Sequence, residues 1–312
     1  MWKRINSKGI SATRHAVRMA LKILRPHLVE DRRLRRLHRR SYANPGPNFC
    51  WHIDGYDKLK PFGFAIHGAI DVFSRRMLWL KVGPTNNNPQ AIGLHFVRAL
   101  LQLKVVPCLI RTDRGTENVH IEKIQKFLRR NGGDMLAAEN SFIYGKSTGN
   151  QRIESWWAIL RRQCTYFWIN LFKDMQTVGL INTDDNLHMC CLRFCFLHLI
   201  EDDLQKVVSE WNSHRIQANK KQAIICAKPD KMYFIPEEFE TALFAAEFNE
   251  EEISPIEFEL EMGEGEPTAY DPNFVKIVDI VFPEWERPRN ATEAQDLYVA
   301  ILSKIASAER NL

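Results

Sequence analysis

No apolar run in this 312-residue chain approaches the roughly 18 uninterrupted residues of a membrane-spanning helix. The opening MWKRINSKGI is not followed by an apolar segment, so it does not read as a secretory signal. Cysteine is sparse, seven residues at scattered spacings, which in a chain this long speaks for reduced thiols rather than a disulfide framework. No internal repeat is visible. Positive charge is missing from one long stretch, since Pro236 to Pro272 holds 13 acidic residues and no Lys or Arg. These absences exclude a membrane protein and a disulfide scaffold and point to an intracellular chain. What is present, 45% hydrophobic and 11% aromatic residues, suffices for the core of one large or two modest domains.

The net charge of +5 conceals a strong asymmetry. Residues 1–234 carry 38 Lys and Arg against 19 Asp and Glu, whereas residues 235–312 carry 5 against 19. Residues 1–40 alone hold 13 basic and 2 acidic side chains. A basic body implies a polyanionic partner, because each Lys or Arg set against a phosphate releases a condensed counterion. The acidic end either competes for that surface or is a solvated appendage.

Apolar Ile10, Val17, Ala20, Leu21 and Leu24 recur at helical spacing, with Ser11 as the expected N-cap and Pro26 as the stop. A charged arm and the breaker-rich SYANPGPN follow. CWHIDGYD, FGFAIHGAIDVF and RRMLWLKV then read as three strands of an antiparallel meander. PQAIGLHFVRALLQL is a helix, and VVPCLIRTD a fourth, central strand with Pro107 near its start. VHIEKIQKFLRRN is a second helix, and a third begins near Asn150. The order predicts an α/β fold, a mixed sheet flanked by helices, with helical extensions at both ends. Three regions follow: 1–45 basic and helical, 46–217 the central domain with trailing helices around 186–216, and 218–312 acidic with a terminal helix. Residues 237–271 are expected to be poorly ordered and outside the fold. Phe239, Leu243, Phe244 and Phe248 allow one short docked helix there. The stretch is read as either a spacer or an autoinhibitory tail.

Three acids stand where apolar elements begin or end: Asp54 in the first strand, Asp113 closing the fourth, and Glu154 in the first turns of the third helix. First and fourth strands can be neighbours, which sets Asp54 beside Asp113. Paired carboxylates repel unless a cation bridges them, so an oxygen-seeking divalent ion is the natural resolution. With Glu154 the three would suit two ions, Mg2+ or Mn2+, that activate a water or a 3′-hydroxyl on a phosphodiester.

WHIDG, AIDVFSRRMLWL, TDRGTEN and STGNQRIESWW, in that order, resemble the catalytic core of retroviral and retrotransposon integrases and DDE transposases. They resemble more closely the integrase core domain-containing proteins of animals. The likeness covers about residues 50–170 and weakens toward 217. Asp54, Asp113 and Glu154 match the family's metal-binding triad residue by residue. The resemblance implies an RNase H-like fold and metal-dependent cleavage and joining of DNA strands, with DNA as partner, a homo-oligomer, and the nucleus as compartment. Two other readings stay open: a host-retained, catalytically silent DNA-binding or scaffold protein, and a nuclease that cuts without joining.

Gly115 would free the backbone after Asp113 where substrate phosphate comes close. Thr116, Glu117 and Asn118 either cap the second helix and line the site or form a structural turn. Asn150 is either an N-cap or a contact to the target strand. Gln151, Arg152, Arg161 and Arg162 on the third helix, and Lys146 before it, are candidates for DNA contact. So are Arg14 and Arg18, in a segment like the end of a helix-turn-helix module. Trp156 and Trp157 read as core, and His52 as a satisfied core histidine or a support to Asp54. His188, Cys190, Cys191, Cys195 and His198 lie close in sequence, but without a C-x2-C pair and inside a buried-helix pattern, so zinc is not expected.

Overall fold

The computed structural model describes residues 11–27, 44–145, 149–217, 226–263 and 270–310. The chain divides into two compact units, Met1–Ala43 and Asn44–Leu312. The first contains helix α1 (Arg14–Leu24), whose N-cap is Thr13 rather than the expected Ser11. The Thr13 hydroxyl accepts from the Ala16 amide at 3.1 Å.

In the second unit, β1 (Cys50–Tyr56), β2 (Ala65–Asp71) and β3 (Met77–Gly83) form the expected meander. Helix α2 (Pro89–Leu103) starts on an Asn88 side-chain cap with Pro89 in its first turn, where a missing N–H costs nothing. The single expected fourth strand is two pieces, β4 (Val106–Pro107) and β5 (Leu109–Thr112). Pro107 offers no amide to the ladder, and between the pieces Cys108 donates its amide to the Asn48 carbonyl at 2.9 Å. Helix α3 (Val119–Leu128), β6 (Phe142–Tyr144) and α4 (Gln151–Leu160) follow. A π-helical turn (Arg161–Thr165) joins α4 to α5 (Tyr166–Thr177), and α6 (Asn186–Ser213) is the longest helix described. The remaining elements are α7 (Pro229–Phe234), β7 (Ala245–Ala246), α8 (Glu250–Met262), α9 (Pro272–Val281) and α10 (Ala291–Arg310).

The main sheet runs β3-β2-β1-β5-β6, antiparallel among the first three strands and parallel from β1 through β5 to β6. This is the RNase H-like α/β fold. Side-chain alternation along the strands separates two cores. Trp51, Ile53 and Trp79 pack on one face with Phe96, Val97 and Ile121. Ile66, Ile70 and Leu80 pack on the other with Trp156, Trp157, Phe172 and Phe196. Strand β3 is a sheet edge, and α6 satisfies it: Gln205 donates to the Leu80 carbonyl at 2.8 Å and Asn212 bonds both backbone groups of Met77. That covering removes an exposed ladder as a site for strand addition.

The acidic segment departs from expectation. Residues 250–262 form α8, packed on α2, with Ile253 and Leu260 buried in the core that holds Trp51 and Phe96. β7 pairs with β4. No α-helix covers Phe239 to Phe248; Phe239 ends a 3-10 turn, β7 follows, and of the four apolar residues singled out Phe248 packs against that core while Phe244 lies edge-on to Phe49. The counter-charges absent locally come from the core: Glu257 and Glu261 meet Arg98, Glu250 meets Lys104, and Glu252 meets Arg130. No helix among the described residues is long and apolar enough to cross a membrane.

Candidate active site

The site forms at the carboxyl end of two adjacent parallel strands. The β1–β5 register runs as far as His52 opposite Arg111, and Asp54 and Asp113 each follow two residues later. Asp54 projects toward α4, because it shares the strand face of Tyr56 rather than that of Trp51 and Ile53. There its Oδ2 accepts from Trp157 Nε1 at 2.9 Å. Gly68 stands opposite Asp54 across the β1–β2 ladder, and a Cβ there would come 3.2 Å from the Trp157 ring, so the glycine lets that indole lie on the sheet.

Burial is the largest influence on Asp54 and raises its pKa to about 7; Glu154 and Asp113 add to the rise, while the Trp157 hydrogen bond opposes it. Asp54 therefore senses both of the other carboxylates. Glu154 is exposed in the first turn of α4. The donors are all carboxylate oxygens, the chemistry a hard divalent cation takes. Among the described residues, however, no three His, Cys, Asp or Glu side chains stand as a metal-ligating group.

Several neighbours play parts other than those expected. Asn150 is 1% exposed and makes no side-chain cap; its amide donates to the Ile53 carbonyl at 3.1 Å. It ties the start of α4 to the strand residue before Asp54, and burial leaves it no face for DNA. Gly115 has an ordinary negative φ of −98°, and what it provides is room: a Cβ would meet the Glu117 carboxylate. Thr116–Asn118 is a 3-10 turn without a side-chain cap. Glu117, half-buried, has its pKa raised chiefly by desolvation, with Asp113 and Asp57 adding to it. It is a fourth carboxylate at the site.

Gln151, Arg161 and Arg162 are exposed; Arg152 is half-buried, and desolvation lowers its pKa. Arg14 and Arg18 are exposed on α1. Lys146 lies outside the described residues. His52 is fully buried and held neutral, its pKa pushed down to about 3 by desolvation, with Arg111 and Arg152 adding to the effect. Trp157 is core, as its sequence predicts, and also a direct partner of Asp54; no residue pattern announces that second role. Of the Cys/His group on α6, His188 bonds Tyr298 at 2.6 Å and His198 bonds the Pro288 carbonyl at 2.7 Å.

The family model of the integrase core domain matches residues 41–234. No curated protein matches the chain.

Proposed function

Because the chain belongs to the integrase core domain family, we propose that it catalyses metal-dependent phosphoryl transfer on DNA, cleaving and joining strands. What supports this reading is that parallel β1 and β5 run side by side up to His52 and Arg111, with Asp54 and Asp113 each two residues further on, and that both Glu154 and Asp113 perturb Asp54. These three residues would hold Mg2+ or Mn2+. Bound there, the metal supplies activation of the attacking oxygen and neutralises charge on the phosphodiester. The chain itself does the positioning: Trp157 orients Asp54, and Asn150 fixes the start of the helix that presents Glu154. Gln151, Arg161 and Arg162, exposed on α4 and the turn after it, are the side chains suited to backbone phosphates.

A second reading keeps one observation in its favour. The carboxylates do not form a three-ligand group, as expected of a DNA-binding protein that has lost its chemistry. A strand-cleavage assay on labelled DNA with Mg2+ or Mn2+ separates the two. The proposal requires metal-dependent product from the wild type and none from Glu154→Gln, with DNA affinity retained. Binding without product in both proteins would establish the silent reading.

A further inference from the structure

Trp157 does more at the site than fill the core. Its Nε1 donates to Asp54 Oδ2 at 2.9 Å, and an indole nitrogen can only donate. The ring that carries this donor has no room to turn away. It is 6% exposed. Gly68 lies against it, where a Cβ would stand 3.2 Å from the ring. Tyr56, two residues beyond Asp54 on the same strand face, packs on the ring with centroids 5.3 Å apart, and Trp156 does so at 5.6 Å. Tyr56 is fixed in turn, because its hydroxyl bonds that of Thr165 at 2.9 Å, in the π-helical turn after α4. The N–H on Asp54 is therefore built into the packing around it.

An ionised carboxylate has two oxygens and about four lone-pair sites. At Asp54 the indole N–H takes one of those on Oδ2, and the Gly55 amide also stabilises the ionised group. A cation that draws on both oxygens must share Oδ2 with the indole. A cation that draws on one oxygen can take Oδ1 and leave the indole bond intact. Hard cations divide on this point. Ca2+ gathers about six to eight oxygens and accepts a carboxylate through both of its own, whereas Mg2+ is octahedral, keeps several waters and takes only one or two carboxylates. Mn2+ shares the octahedral oxygen preference of Mg2+.

We propose that Trp157 sets the metal preference of the Asp54 site, favouring Mg2+ and Mn2+ over Ca2+. Trp157 acts through Asp54 and is a positioning residue; the inference rests on the metal reading above. The test measures metal binding to the full chain without DNA, so it does not depend on activity. Free Mn2+ is followed by electron paramagnetic resonance while Mg2+ or Ca2+ is added in competition. In the wild type, Mg2+ should displace half of the bound Mn2+ at a lower concentration than Ca2+ needs. Trp157→Phe keeps a ring and loses the N–H, which frees Oδ2 and helps Ca2+ more than Mg2+. The ratio of half-displacing concentrations, Ca2+ over Mg2+, should fall about fivefold, the scale of one net hydrogen bond. Trp156→Phe is the packing control: it thins the same core, and Trp156 Nε1 has no hydrogen-bond partner among the described residues. It should leave the ratio unchanged. An unchanged ratio in Trp157→Phe, or an equal fall in both variants, overturns the inference and leaves the metal reading standing. Mn2+ binding that does not saturate, or that Asp54→Asn leaves intact, fails the metal reading itself and takes the inference with it. Should Trp157→Phe not fold, the wild type answers through the indole N–H resonance that Mn2+ broadens at the lowest concentration. Ca2+ should move that resonance upfield further than Mg2+ does, as the N–H yields Oδ2; equal shifts overturn the inference.

Discussion

At the scale of single residues, burial sets the charge states. His52 and His67 are pushed down to about 3 and His95 to about 4, all chiefly by desolvation. In the unfolded chain they titrate near 6.5, so below that pH the unfolded state binds protons the folded state refuses, and acid costs stability. Asp54 and Asp71 act oppositely: burial raises them to about 7 and about 6, so on acidification toward ~4 the folded state takes protons first and gains. Three sites against two leave a shallow net loss from about pH 6.5 to 4. Below about 4 the unfolded carboxylates protonate as well, but the folded histidines now begin to take protons, His95 first, so the loss levels off toward pH 3. Denaturant midpoints measured in chelator across pH 3–8 check this, and a midpoint that climbs steadily toward acid would contradict it. Glu154 belongs to the same scale. It is exposed, so Glu154→Gln should leave stability within about 0.5 kcal/mol while removing a proposed metal ligand. A thermal melt beside the cleavage assay separates lost chemistry from lost fold.

At the scale of elements, α8 is held by burial more than by charge. Ile253 is fully buried, and Ile253→Ala should cost about 2–5 kcal/mol. Glu252→Gln, which breaks a partly exposed pair with Arg130, should cost less than about 1 kcal/mol. Urea unfolding of the two variants tests the order, and a free acidic tail would make both changes neutral. The sequence was misleading here because thirteen acids without local counter-charges read as self-repulsion, while the cations that four of them meet sit on α2 (Arg98) and just past the ends of α2 (Lys104) and α3 (Arg130), far away in sequence. The meander and the second and third helices were legible because each rests on local pattern and short connections, and the pairing of the first strand with the fourth followed from the sheet order they imply. The split of the fourth strand was half-legible in Pro107. What Asn150, Gly115 and Trp157 do was not, since each depends on a partner from another element: the Ile53 carbonyl, the Glu117 carboxylate and the Asp54 carboxylate.

At the scale of the whole molecule, the docking of α8 changes what the charge asymmetry means. Arg98, Lys104 and Arg130 count toward the basic excess of residues 1–234, yet each is engaged by a glutamate of α8. These cations have little to offer a polyanion, because releasing counterions from DNA requires charge not already compensated. Arg161 and Arg162 differ: they are exposed, and among the described residues neither forms a salt bridge. They also follow directly on the helix that carries Glu154. Where each neutralises one phosphate, Arg161→Gln and Arg162→Gln should each reduce the slope of log K against log salt by about 0.7 on single strands and about 0.9 on duplex. Arg98→Gln should leave the slope unchanged, although it removes the same formal charge. Fluorescence anisotropy at four or five salt concentrations measures all three. Equal reductions would mean that total charge alone governs binding and that α8 shields nothing. A reduction confined to Arg161 and Arg162 would place the DNA path beside α4, on the face of the sheet that Asp54 addresses.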